Sequence, residues 1–373
     1  MRLSGLAIRH FRNLGSQDLE LPSEGVALIG DNAQGKSNFL EAIYYLETFR
    51  SFRGARDEQL VAFHKDVFRV AGTLEDTSAD ASSQVAAAFE KKGKRKKVSL
   101  NGAEPDRMGD ALGRLAAVIF SPADVELVSG GPGERRRFLD IVLSLSEPGY
   151  LAALQEYRKI LVRRNASLKD GQPGSVVAVW NSGLVRSGAG LIRARRDWVE
   201  QRCGAFRDYY REVSGGVAAR MKYRPSVMFD TAVTEEEIAA SFSDALAEAS
   251  ERERRMGTTV IGPHRDDLLL RLEDDAKGLD LRAYGSGGQR RTAALALRLV
   301  EARTIRETRR RSPLILLDDV FAELDTGRGE RVLALMEREE MGQVVLTSPK
   351  EDDVKFRKGS LPHWRIEAGR INA

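Results

Sequence analysis

The stretch Gly30-Asp31-Asn32-Ala33-Gln34-Gly35-Lys36-Ser37 constrains this chain more than any other. An apolar run, Val26-Ala27-Leu28-Ile29, precedes it, and a helical pattern, Asn38-Phe39-Leu40-Glu41-Ala42-Ile43-Tyr44, follows. Strand, glycine-bounded loop and helix, in that order, is the context in which the G-x-x-x-x-G-K-[ST] spacing holds nucleotide phosphates. Gly30 and Gly35 let the backbone bend so that successive N–H groups of the loop point inward at phosphate oxygens. The helix starting near Lys36 adds the partial positive charge of its N-terminus. Lys36 reaches the β- and γ-phosphates, and the Ser37 hydroxyl ligates Mg²⁺. The expected ligand is therefore ATP or GTP with Mg²⁺, bound by residues 30 to 37.

At 373 residues the chain is long for a single core, so two lobes are expected. A hydrophobic fraction of 42% and a charged fraction of 31% describe a soluble globular protein rather than a disordered one. No apolar run approaches the roughly 20 residues of a membrane span, and the N-terminal residues lack a secretory apolar core. Cys203 is the only cysteine and there are four His, which excludes an internal disulfide and a Cys/His zinc cluster and suits a reducing cytoplasm. The net charge of +4 and a pI near 9.1 permit a polyanionic partner without requiring one.

Sheet-type sequence lies at both ends of the chain. Leu3, Leu6 and Ile8 read as a strand, and Phe68–Leu74 and Gln84–Phe89 as antiparallel strands. Between the latter and Val98-Ser99-Leu100 runs Lys91-Lys92-Gly93-Lys94-Arg95-Lys96-Lys97, which is expected to cap a projecting hairpin, with Asn101-Gly102 as the next turn. Leu115–Phe120 reads as a short apolar strand. From Pro132 the pattern turns helical, with the longest run from Ser175 to about Val213. A later helix opens on a capping box, Thr234 with Glu237, and runs to about Arg255. Strands are expected again at Thr258–Ile261, Leu268–Leu272, Pro313–Leu317 and Gln343–Leu346. This pattern implies an α/β lobe built from residues 1–122 and 258–373, with a mainly helical lobe, 123–257, inserted between its halves. No heptad run is long enough for an extended coiled coil, and there is no internal repeat.

Two further stretches complete the expected site. Leu314-Ile315-Leu316-Leu317-Asp318-Asp319 is a buried strand ending in two carboxylates, at the edge where α/β sheets bind ligands. Asp318 is placed to hold Mg²⁺ directly or through water. Asp319 points the other way and can orient the attacking water or accept its proton. Tyr284-Gly285-Ser286-Gly287-Gly288-Gln289-Arg290-Arg291 precedes an Ala/Leu-rich helix and forms a second backbone nest at a helix N-terminus. One chain thus carries two γ-phosphate surfaces, and one ATP satisfies both only if the second comes from another molecule.

The set resembles the ABC-type ATPase heads of the SMC class and, more narrowly, the RecF family of bacterial recombination mediators. The resemblance rests on Phe11-Arg12-Asn13-Leu14, the 30–37 loop, Phe138-Leu139-Asp140, Gly262-Pro263-His264-Arg265-Asp266, Gly288-Gln289-Arg290 and Leu317 to Asp325, in order along nearly the whole chain. It implies an ATP-binding head that dimerises head-to-tail around two ATPs, hydrolyses slowly, binds DNA, and works with RecR and RecO to load recombinase on gapped DNA. By that resemblance Arg12 and Asn13 lie near the nucleotide, and Ser286, Gly287, Gly288 and Gln289 act on the second molecule's ATP. Glu323-Leu324-Asp325 crosses the dimer interface, and Thr347 occupies the switch position. Three features depart from the broader ABC pattern: Gly285 replaces a common Leu, Asp319 replaces the catalytic Glu, and Thr347-Ser348 stands where transporters often carry His. A shorter carboxylate and no His suit a slow switch.

Candidate DNA contacts are Lys91, Lys92, Lys94, Arg95, Lys96, Lys97, Arg50 and Arg53, together with the arginines of the long helix. No base-reading module is present, so DNA binding without sequence readout is expected. Two other readings compete. A transporter's nucleotide-binding subunit fits less well, given the absent switch His and the long helical insertion. A non-catalytic protein using ATP as a structural ligand would release no phosphate.

Overall fold

The computed structural model describes residues 2–76, 81–230, 234–273, 278–349 and 361–372, apart from the side chains of residues 322 and 323. The chain begins with β1 (Arg2–Arg9), β2 (Gln17–Glu20), β3 (Gly25–Ile29), α1 (Lys36–Thr48), α2 (Asp57–Leu60), β4 (Val67–Asp76), β5 (Ala81–Glu90), β6 (Arg95–Leu100) and β7 (Ala117–Phe120). Helices α3 (Glu126–Ser129), α4 (Pro132–Ser146), α5 (Tyr150–Lys169), α6 (Gly174–Ala178) and α7 (Asn181–Ser214) follow. Then come β8 (Ala219–Arg224), α8 (Glu235–Met256), β9 (Asp267–Leu272), β10 (Leu279–Asp280), α9 (Leu281–Tyr284) and α10 (Gly287–Arg309). The chain closes with β11 (Leu314–Asp318), α11 (Thr326–Arg338), β12 (Val344–Ser348), β13 (His363–Glu367) and β14 (Arg370–Asn372).

Two units form. The first joins residues Met1–Asp124 to Leu297–Ala373. Its main sheet has the order β14-β13-β3-β12-β11-β7, with β13, β3, β12, β11 and β7 all parallel. Strands β3, β11 and β12 are buried along their whole length, which is why they read as unbroken apolar runs. A second, antiparallel sheet has the order β2-β1-β4-β5-β6. The core packs around α1: the Phe68 ring meets Phe11 at 5.2 Å and Tyr45 at 5.3 Å, both edge-on, a geometry that adds to the burial of the rings. The buried Gln343 amide ties the sheets together, donating to the Leu3 and Pro22 carbonyls and accepting from the Leu3 N–H.

The second unit is Val125–Ala296, a helical assembly carrying the small antiparallel sheet β10-β9-β8. Residues 258–296 therefore belong with the helices, not with the sheet-bearing termini as the sequence pattern suggested. Strand β9 finds its partner in β8 and buries Leu268, Leu270 and Leu272 there. Residues 258–261 form no strand either, because Asn165 holds the Thr259 N–H and hydroxyl at 2.8 and 2.7 Å. The expected long helix is broken at residues 179–180 into α6 and α7. The capping box at Thr234 is present, and Gly257 ends α8 with φ 64°.

Buried charge holds this unit together. Arg195 donates to Asp140 at 2.7 Å, to the Tyr150 hydroxyl at 2.9 Å and to the Pro263 carbonyl at 2.7 Å. Arg135 pairs with Asp267, and Arg164 with Glu253. Each ion here has several partners, the condition under which a buried charge is tolerated. The Phe138–Asp140 and Gly262–Asp266 stretches meet in this network: Tyr223 bonds Asp266, and Tyr157 bonds His264 at 2.6 Å. Among the described residues no helix is long and apolar enough to cross a membrane.

Candidate nucleotide site

Because β3, β12 and β11 are parallel neighbours, their C-terminal ends lie side by side, with Thr347 opposite Asp318 and Ser348 opposite Ile29. The glycine loop leaves β3 at this edge. Gly30 must lack a side chain, since a Cβ there would meet the Ile366 carbonyl oxygen at 2.6 Å. Gly35, the residue before α1, has φ 117°, a conformation that L side chains rarely adopt. The C-terminal hairpin braces the loop from outside: Gln34 accepts from the Ala368 N–H at 2.6 Å and from the Gly369 N–H at 3.0 Å. Lys36 is buried and turns back along the loop, donating to the carbonyls of Gly30 at 2.8 Å and Asp31 at 3.2 Å. Asp31, Asn32 and Ala33 are exposed on the loop, and Ala33 takes a left-handed φ of 68°.

Ser37 reaches across the strand ends and donates to Asp318 at 2.7 Å. Thr347 lies within 3.2 Å of Asp318 and 3.3 Å of Asp319, and its hydroxyl also accepts from the Asp319 N–H at 3.0 Å. Burial pushes the Asp318 carboxyl above its usual range, and the neighbouring Asp319 charge pushes the same way, outweighing the Ser37 and Thr347 hydrogen bonds. Two carboxylates thus sit together, one of them deeply buried, and among the described residues the side chains bonding them are hydroxyls, a donor set that suits a hard dication. Among the described residues no three His, Cys, Asp or Glu side chains converge. Asp319 has φ 48°, a strained backbone for a non-glycine residue, of a kind that collects at functional sites.

Glu41, five residues beyond Lys36, is an unanticipated member of this region. It is fully buried, yet accepts from Arg12 at 2.9 and 3.1 Å and from Arg53 and Ser51. Burial alone would raise its carboxyl, but the Arg12, Arg53 and Ser51 hydrogen bonds and the Arg53 charge hold it below the usual range. Arg53 also bonds Asn38, which donates to Asn13 at 2.7 Å, and Asn13 reaches the Ala33 carbonyl at 3.4 Å. Arg12 and Asn13 are thus brought to the glycine loop, and so is Arg53, which the sequence grouped with the DNA contacts. The available signal was an acid inside the largely apolar helical pattern Asn38–Tyr44.

Ser286 and Gln289, in the second unit, cap α10 reciprocally: the Ser286 N–H donates to Gln289 Oε1 at 2.8 Å and the Gln289 N–H to Ser286 Oγ at 3.2 Å. Ser286 and Gly287 are exposed, and Gly288 is half-buried. Gly285 is buried, and a Cβ there would come 2.5 Å from the Leu281 carbonyl oxygen, which accounts for the missing Leu. Asp325 caps α11 by accepting from the Arg328 N–H, and the Glu323 side chain lies outside the described residues. In the basic hairpin the turn is Lys91–Lys94, so Arg95, Lys96 and Lys97 belong to β6. Lys96 is structural: it pairs with Asp57, donates to the Phe49 carbonyl and covers the Tyr45 ring at 5.3 Å. Lys94 and Lys97 pair with Glu58 and Glu104, while Lys92, Arg95 and Arg50 are exposed.

A glycine loop on a parallel strand, acids at the end of a nearby parallel strand and a capped glycine signature in an inserted helical unit define an ABC-type ATPase head. Residues 2–359 match the RecF/RecN/SMC N-terminal domain family, and the chain belongs to that family, within its RecF branch. It is 40% identical to the DNA replication and repair protein RecF of Anaeromyxobacter sp. (strain Fw109-5), over 100% of this chain and 99% of the relative. It is 38% identical to the protein of the same name from Synechococcus sp. (strain JA-2-3B'a(2-13)), over 91% and 89%. A solved structure of the recombination mediator RecF with ATP, from the RecFOR pathway, superposes with a TM-score of 0.89 at 31% identity, covering 100% of this chain and 97% of the other. An Smc head bound to the C-winged helix domain of ScpA shares the fold at 16% identity, with a TM-score of 0.53 over 94% and 90%.

Proposed function

We propose that this protein is an ATP-dependent DNA-binding protein of recombinational repair and replication-gap processing, acting in the cytoplasm. The observation that carries this reading is the contact chain Ser37–Asp318–Thr347–Asp319, which gathers hydroxyls and carboxylates beside the glycine loop. Residues 30 to 37 bind the triphosphate, with Lys36 leaving its loop carbonyls for the phosphates. Ser37 and Asp318 hold Mg²⁺, which when bound offsets phosphate charge. Asp319 orients the attacking water and takes up its proton. Arg12 and Asn13 bound the nucleotide from the side that Glu41 stiffens.

The exposed nest at Ser286–Gly288 acts in trans, so two molecules close head-to-tail around two ATPs, and Asp325 lies on the crossing loop. Hydrolysis is slow and resets the dimer. DNA is bound without sequence readout, through Lys92, Arg95 and neighbouring cations, and the dimer cooperates with RecO and RecR in loading recombinase. Support for these last steps comes from the RecF relatives and from the RecFOR pathway named for the RecF–ATP structure.

The test is retention on gapped DNA with and without ATP, paired with phosphate release. ATP-dependent retention, and release above that of Lys36→Met, are expected. Retention indifferent to ATP, or release equal to Lys36→Met, refutes the reading.

A further inference from the structure

Phe63 is 89% exposed, four residues before Val67, which is 41% exposed and pairs with Glu90 at the foot of the basic hairpin. It occupies the second position of a tight turn closed by the Lys65 N–H on the Ala62 carbonyl at 3.2 Å. His64, the next residue, is held at a left-handed φ of 60°. A turn that spends a strained residue to project an aromatic ring into water does nothing for the core.

The turn is bonded directly to the hairpin end. The Lys91 N–H donates to the Asp66 carbonyl at 2.8 Å, and the Lys91 ammonium to the Lys65 carbonyl at 3.0 Å. Lys94 ties the same end to α2 through Glu58. Hence Phe63 shares one end of the antiparallel sheet with Lys65, Lys91, Lys92, Lys94 and Arg95, against Glu58, Asp66 and Glu90. An isolated exposed apolar residue needs no explanation in general. What singles this one out is a flat ring at the same sheet end as several cations, of which Lys92 and Arg95 are exposed and have no ion-pair partner among the described residues. A protein-binding hot spot is instead ringed by contacts that exclude water. Rings flanked by Lys and Arg are how proteins hold nucleic-acid strands: the cations track the phosphates and the ring stacks on an unpaired base.

We propose that Phe63 stacks on an unpaired or terminal base while the hairpin cations grip the adjoining backbone, so that this tip tells interrupted DNA from intact duplex. The proposal rests on the DNA-binding reading above and names the residue that gives it structural preference. A paired, stacked base inside a duplex offers no face to Phe63, whereas a gap or frayed end does.

The experiment measures anisotropy with labelled blunt duplex and with the same duplex carrying a single-stranded gap, ATP analogue present, for wild type, Phe63→Ala and Phe63→Trp. Wild type is expected to favour the gapped DNA. Phe63→Ala should lose about tenfold on it, the effect of one base stack, with less than about twofold change on blunt duplex and no change in salt slope. Phe63→Trp should restore the preference and quench a 2-aminopurine placed at the gap. At 89% exposure neither substitution disturbs the core, which a thermal melt checks. Equal affinity of Phe63→Ala and wild type for gapped DNA overturns the proposal and leaves the DNA-binding reading standing, as does an equal loss on both DNAs. Failure of wild type to bind either DNA removes that reading and this one together.

Discussion

Glu41→Gln isolates the buried charge that holds two arginines beside the glycine loop. The carboxylate is fully buried, and it accepts both Arg12 nitrogens, Arg53 and Ser51. Truncating one partner of a buried ion pair costs about 3–5 kcal/mol. Here the Arg12 and Arg53 side chains are 22% and 34% exposed, so they can rehydrate, and the Gln oxygen still accepts one bond. Together these reduce the expected loss to about 2 kcal/mol at neutral pH. The sign of the pH dependence follows from the depressed Glu41 carboxyl. A folded-state value below the unfolded one contributes stability that is complete above the unfolded carboxylate value and is lost as pH falls through the folded one. The difference between wild type and Glu41→Gln should therefore hold from about pH 8 to about pH 5 and close below the ordinary Glu value of about 4.3. Trp364 is buried against Phe39, with ring centroids 6.4 Å apart, and reports on this unit once Trp180 and Trp198 are replaced by Phe. Urea unfolding followed by Trp364 fluorescence then reads the loss directly. Identical midpoints at pH 7, or a gap that stays constant under acid, would refute the clamp.

Other consequences are equally direct. Asp318 carries a carboxyl raised by burial, so at neutral pH its charge opposes folding, and the penalty is relieved as pH falls through its folded value. Asp318→Asn should raise the unfolding midpoint at pH 7 while lowering Mg²⁺-dependent phosphate release by about 100-fold; a lower midpoint contradicts the assignment. Lys92→Ala and Arg95→Ala should each reduce the salt slope of DNA binding by about 1. Lys96→Ala should instead leave the slope alone and cost about 1–2 kcal/mol of stability, as its Asp57, Phe49 and Tyr45 contacts require. Gly285→Leu, which would restore the common ABC residue, should destabilise by about 1–3 kcal/mol in thermal unfolding, because its Cβ meets the Leu281 carbonyl oxygen.

The sequence was most informative where local chemistry and fold coincide. The phosphate loop needs its glycines whatever surrounds it, and strands β3, β11 and β12, buried on both faces, can only be written as apolar runs. The capping box of α8 is likewise a local signal. What escaped depended on distant partners. Thr258–Ile261 has strand-forming residues, but Asn165, nearly a hundred positions earlier, takes the Thr259 N–H. Strand β9 looks like sheet of the first unit until β8 is known to pair with it. Arg53 and Lys96 read as surface cations because nothing nearby in sequence announces Glu41, or the Asp57 and Tyr45 that receive Lys96. Charge runs show where cations are, and only the fold shows which of them are already engaged.

The trans action of Ser286 is tested most directly by sedimentation with a slowly hydrolysed ATP analogue, comparing wild type with Ser286→Arg at equal nucleotide occupancy. Wild type should shift from monomer to dimer as the nucleotide site fills, while Ser286→Arg binds the analogue with unchanged affinity and stays monomeric. A wild-type protein that remains monomeric at saturation, or a Ser286→Arg variant that dimerises as readily, would contradict the account.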